Sequence, residues 1–310
     1  MKTTAALVLA GFLALTAHAA PPAQIVVFGD SLSDPGNAFA LLGATNTPPD
    51  YSVDVFLVPD RPYAKGGQHF SNGETWVEQL ARTWRLAANA NPAFRSAAPS
   101  ALNFAIGTAR AGAPGGGNLD VQVSAFLQRS GGTAPAGALY VIAVGANDVR
   151  DAGQTPAEAF TIFQAAAQGI VTQIARLYAA GARSFLVWNA PDIGITPALL
   201  ALDQLVPGSA AGASFLSQTF NDVFLAPALA EADTLPGIAI SRFDAFTKLH
   251  EIVAQPQDFG LSNVTAACIT PTSAPFHCRN PDEYLFWDGI HPTRAAHGII
   301  AREVAATLSP

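Results

Sequence analysis

Cysteine is nearly absent from this chain, and charge is thin. Only Cys268 and Cys278 occur in 310 residues, too few for a disulfide-scaffold protein or a four-cysteine zinc set. His277 adjoins Cys278, but no second His/Cys pair completes a ligand set, so no metal and no cofactor are expected. Their nine-residue gap suits one local disulfide, which contributes about 3 kcal/mol in the chain-entropy model. Charged residues make up 13% of the chain, 16 basic against 23 acidic, for a net charge of −7. Such a surface repels phosphate backbones and excludes a nucleic-acid partner. Internal repeats and charge-run tails are missing too.

Long apolar runs are confined to the N-terminus. Lys2 precedes an apolar stretch from Ala5 to Ala17, followed by Ala17-His18-Ala19, the layout of a secretory signal peptide. The stretch is about 13 residues, short of the roughly 20 that cross a bilayer as a helix. Residues 1–19 are therefore expected to be removed on export to the periplasm or beyond. The rest, 20–310, is expected to be one soluble, monomeric domain with no integral membrane segment. An apolar fraction of 50% gives it a large core.

What is present is alternation. Strand-length apolar runs occur at Ile25–Phe28, Leu102–Ile106, Leu139–Val144, Phe185–Trp188 and Ile238–Ile240. Helical spacing fits Trp76–Arg85, Leu119–Gln128, Thr155–Ala180, Phe215–Ala230 and Arg294–Leu308. Thr155-Pro156-Ala157-Glu158 reads as a capping box with proline at the first helical position, and Gly181 as the stop. Strands alternating with helices imply an α/β fold, a central parallel sheet of about five strands with helices on both faces. Gly43–Phe70 and Ala190–Gly212 fit no regular element; as long loops after strands they are expected to wall a substrate pocket.

Two segments carry chemistry. Phe28-Gly29-Asp30-Ser31-Leu32-Ser33-Asp34 puts a serine where the first strand gives way to a turn, and Trp287-Asp288-Gly289-Ile290-His291-Pro292 supplies an acid and a histidine three positions apart. These are the residue types of a nucleophile (Ser31), a general base (His291) and the acid that orients it (Asp288). They lie 260 positions apart, but an open parallel sheet delivers all its strand ends to one edge. Two further strand ends add Asn103-Phe104-Ala105-Ile106-Gly107 and Gly145-Ala146-Asn147-Asp148. Asp30, Asp34 and Asp148 are read as turn and capping residues, and Phe286 and Trp287 as core.

These four blocks, in this order, resemble those of the GDSL (SGNH) hydrolase family of secreted esterases and lipases, and Phe70-Ser71-Asn72-Gly73 resembles a further segment of secreted members. One departure is visible: many members carry a second glycine where this chain has Thr108. The resemblance implies a flavodoxin-like three-layer sandwich and an oxyanion hole built from the backbone N–H groups of Ser31 and Gly107 and the side-chain amide of Asn147. It implies cleavage of small-molecule or lipid esters through an acyl-enzyme. A polysaccharide O-acetylesterase is the rival within the class, and a non-catalytic carbohydrate- or surface-binding protein the rival outside it.

Overall fold

The structure, a computed structural model, describes residues 21–43 and 53–309. The expected signal peptide lies outside the described residues. Four parallel strands, β1 (Gln24–Gly29), β2 (Ala138–Ala143), β3 (Ser184–Trp188) and β4 (Ala239–Phe243), pair in the order β1-β2-β3-β4. The fifth strand expected at Leu102–Ile106 is not a full strand. It runs alongside β1 through Val27 N–H to Leu102 O (3.0 Å), Phe104 N–H to Val27 O (2.7 Å) and Ile106 N–H to Gly29 O (3.1 Å). Asn103 Oδ1 then accepts the Ala105 amide at 3.0 Å, a local side-chain bond that bends the segment out of a regular ladder. Counting that segment, chain order across the sheet is the flavodoxin-like one.

Helices α1 (Asn37–Leu42), α2 (Trp76–Thr83), α3 (Leu119–Arg129), α4 (Ala146–Gln154) and α5 (Ala159–Ala179) come from the first half. The second half supplies α6 (Pro197–Leu205), α7 (Ser209–Thr219), α8 (Ala226–Ala232), α9 (Ala245–Ala254) and α10 (Arg294–Thr307). Because strand side chains alternate faces, β1 divides its apolar run between two cores. Val26 and Phe28 pack with Phe126 of α3 and Phe163 and Ile170 of α5. Ile25 and Val27 pack with Trp76 and Leu80 of α2 and Val304 of α10. Among the described residues no helix is long and apolar enough to cross a membrane.

Three local expectations are corrected. Thr155 closes α4 rather than capping α5: its hydroxyl donates back to Asp151 O at 2.9 Å, and Pro156–Glu158 forms a 3-10 turn before α5 begins. The reciprocal capping arrangement sits instead at α2, where Glu78 Oε2 accepts the Thr75 amide at 2.8 Å. Ala190–Gly212 is largely helical, since Thr196-Pro197 opens α6 and the run of alanines and leucines behind it propagates well. The single helix expected over Phe215–Ala230 is α7 and α8 joined through a π-helical turn at Phe220–Leu225.

A second, two-stranded sheet went unanticipated. In it, β5 (Asn263–Ala267) pairs with β6 (Tyr284–Phe286), immediately before the Asp-His turn. Cys268 and Cys278 are disulfide-bonded, and the Cys268 amide donates to Trp287 O at 3.0 Å. The disulfide loop thus holds the residue preceding Asp288.

Candidate active site

Ser31 stands in the turn after β1, at the carboxyl edge of the sheet. The turn is shaped by Asp30, whose Oδ1 accepts the Leu32 amide at 3.0 Å and whose carbonyl accepts the Ser33 amide at 3.1 Å. Burial pushes the Asp30 carboxyl up to about 6, against the opposing pull of the Leu32 hydrogen bond. Asp34 Oδ1 accepts the amides of Gly36 and Asn37 and Oδ2 that of Ala38, anchoring the start of α1. Asp148 accepts the amides of Ala111 and Gly112 at 2.9 and 3.0 Å. Asp30 and Asp34 thus shape the turn and helix start as expected, whereas Asp148 instead holds a distant segment, at Ala111 and Gly112.

The two ends of the chain meet. His291 Nε2 lies 2.9 Å from Ser31 Oγ, and His291 Nδ1 lies 2.8 Å from Asp288 Oδ2. Asp288 is fully buried, and its Oδ1 accepts the amides of Ile290 and His291 at 2.9 and 2.7 Å, so the turn fixes its own acid. Tyr63, which the sequence did not single out, donates its hydroxyl to Asp288 Oδ2 at 2.9 Å. The ring of Phe70 packs 5.2 Å from that of His291. Behind, buried His297 is pushed down to about 3 by desolvation, so it adds no charge beside His291 near neutral pH.

Asn147, at the start of α4, lines the space around Ser31 and gives one amide hydrogen to Ala109 O at 2.9 Å, leaving the other. Gly107 departs from expectation. Its amide donates to Asp34 Oδ2 at 2.7 Å, so it is committed rather than aimed at Ser31. Its missing side chain makes room for Phe70 instead. Gln122, also unforeseen, secures both backbone groups of Gly29, accepting its N–H at 2.9 Å and donating to its carbonyl at 2.8 Å. A buried polar residue on an otherwise apolar helix face was the available signal.

Two spaces open from Ser31, Asn147 and His291. A narrow cavity of about 110 Å³ runs inward between Trp188, Phe243, Leu249, Ile252 and Leu285. A wide cleft of about 1130 Å³ opens outward between Val53–Asp60, α6 and α7. Of the two loops expected to form pocket walls, Gly43–Phe70 contributes Val53–Asp60 and Phe70, its residues 44–52 lying outside the described residues, and Ala190–Gly212 contributes as helices.

A family model of GDSL-like lipases and acylhydrolases matches residues 25–304. The chain belongs to that family. It is 29% identical to a phosphatidylcholine-sterol acyltransferase of Aeromonas hydrophila over 97% of this chain and 95% of that protein. Against two GDSL esterases/lipases of Arabidopsis thaliana it is 24% identical over 92% of this chain and 91% of the relative, and 27% over 90% and 89%.

Proposed function

We propose that this GDSL-family protein is an exported serine ester hydrolase that works through an acyl-enzyme. The observation that carries the reading is the unbroken chain from Asp288 to His291 to Ser31 at hydrogen-bond distances. Ser31 Oγ attacks the ester carbonyl while His291 Nε2 takes its proton, and Asp288 holds the imidazole and balances the imidazolium. The oxyanion is met by the Ser31 amide and the second hydrogen of the Asn147 amide. Collapse expels the alcohol, which receives the proton from His291; water then repeats the sequence and frees the acid. The alcohol faces the wide cleft and the acyl chain the narrow apolar cavity, a shape that suits a chain longer than acetyl and tells against an O-acetylesterase. The disulfide and the leader-like N-terminus support export.

Ser31→Ala and His291→Ala should each abolish turnover of p-nitrophenyl butyrate, with circular dichroism unchanged. A folded variant of either kind that turned over at near the wild-type rate would refute the assignment. A second reading, transfer of the acyl group to an alcohol, is favoured by the near full-length likeness to a protein named as an acyltransferase. Supplying a long-chain alcohol or sterol and measuring ester against free acid separates transfer from hydrolysis.

A further inference from the structure

Arg150 lines the site, yet acyl transfer gives it nothing to do. It lies three residues after Asn147 on α4, so both side chains stand on one helix face, and it borders the narrow cavity and the wide cleft alike. Its Nε is buried and has no hydrogen-bond partner among the described residues, and no carboxylate there forms an ion pair with it. The surrounding acids are engaged elsewhere. Asp151 takes a two-pronged bond from Arg110, at 2.5 and 2.9 Å, and Asp148 holds the amides of Ala111 and Gly112. Asp54 holds those of Phe56 and Val58, and Asp30 that of Leu32. Burial, reinforced by the neighbouring Arg110, draws the Arg150 guanidinium below its usual range, yet an arginine stays charged. Asp151, Asp30 and Asp54 pull the other way through space, but none is bonded to it. A half-buried guanidinium whose buried Nε has no partner is stabilised by an anionic ligand group that bonds to it.

We propose that Arg150 receives the phosphate of a glycerophospholipid whose acyl ester is presented to Ser31. The assignment rests on the ester-hydrolase reading and names its substrate class. A planar guanidinium matches two phosphate oxygens at once. The wide cleft supplies the rest of the fit. Leu202, Phe215, Leu216 and Val58 give it an apolar wall for a second acyl chain, while the narrow cavity takes the chain being cleaved. A diacyl lipid with a phosphate beside its ester carries those three features together.

The test compares kcat/KM on three dioleoyl lipids dispersed in one neutral detergent: phosphatidylcholine, diacylglycerol, and diacylglycerol hemisuccinate, which offers a carboxylate. Wild type should favour phosphatidylcholine over diacylglycerol by about 10- to 100-fold, the range of a charge-assisted bond to a buried group. Arg150→Gln should bring that ratio close to one. Arg150→Lys, which keeps the charge but loses the fork, should lower it severalfold, and serves the test alone if the glutamine variant does not fold. A wild-type ratio near one, or a ratio that survives in the variants, overturns the proposal. Preference for the hemisuccinate over phosphatidylcholine overturns the phosphate assignment. Failure of the wild type on all three lipids and on p-nitrophenyl butyrate would instead remove the hydrolase reading beneath it.

Discussion

Replacing Gly107 by alanine tests what that glycine is for. A methyl carbon built there would sit 2.5 Å from Cζ of Phe70, and closer still to Cε2. Ordinary carbon contacts lie at about 3.5–4.0 Å, so the ring must retreat by roughly 1.5 Å. It has little room: Phe70 is 2% exposed, wedged among Ala38, Ile106 and the His291 ring. Overpacking of this kind typically costs about 1–3 kcal/mol. Moving the base by a similar distance costs about 10²-fold in rate. Gly107→Ala should therefore lower the guanidinium midpoint and slow turnover of p-nitrophenyl butyrate about a hundredfold. Phe70→Ala alone should cost about 3–5 kcal/mol by leaving a cavity. The double variant should be less destabilised than the sum by about 1–3 kcal/mol, because the added methyl then meets no ring. Strict additivity, or a Gly107→Ala protein indistinguishable from wild type, would refute the packing argument.

Three shorter predictions concern the rest of the site. Tyr63→Phe removes a donor to the buried Asp288 carboxylate, worth about 1.5–3 kcal/mol; kcat should fall by at least tenfold while KM stays within twofold. An unchanged kcat would mean that the hydroxyl plays no part in holding the acid. Asn147→Ala should fold and lose about 10²–10³ in kcat if its free amide hydrogen meets the oxyanion. Asp30, raised to about 6 from 3.8 by burial, penalises folding once ionised: nothing is lost below pH 4, and about 3 kcal/mol is lost above pH 6. Asp30→Asn keeps the acceptor for Leu32, so it should be more stable than wild type at pH 8 by up to that amount. The gap should close by pH 4, as read from chemical denaturation across the range; a constant gap would rule out the ionisation as its cause.

That Ser31, Asp288 and His291 come together could be read from the chain because each sits in a short turn at the end of an apolar run. The alternation of apolar runs likewise gave the parallel sheet and the edge on which the ends meet. What stayed hidden depends on distance in sequence. Tyr63 reaches Asp288 across 225 positions from a segment with no periodicity, and the Asp34–Gly107 bond spans 73. Asp34 was rightly given a capping role, but nothing local could show that its second oxygen also captures the glycine amide. Pro197 lies in the stretch expected to be a loop, yet its locked φ suits it to begin a helix. Thr155 and Thr75 both stand three residues before a glutamate; only packing decides that one ends a helix and the other begins one.

The two spaces around Ser31 draw their walls from different parts of the chain. Leu249 and Ile252 on α9 and Leu285 on β6 belong to the narrow cavity alone, whereas Val53–Asp60, Leu202 on α6 and Phe215 and Leu216 on α7 belong to the cleft alone. Apart from a few residues such as Ile193 and Leu199, the sets meet only at the reacting groups. On the proposed assignment of the acyl chain to the cavity and the alcohol to the cleft, preference for chain length and preference for leaving group can therefore be altered largely separately, at Leu249 and Ile252 for the one and at Leu202 and Phe215 for the other. On that assignment, a sequence that differs from this one only at Leu249 and Ile252 is expected to prefer esters of a different acyl length, and one that differs only on α7 to release a different alcohol from the same acid.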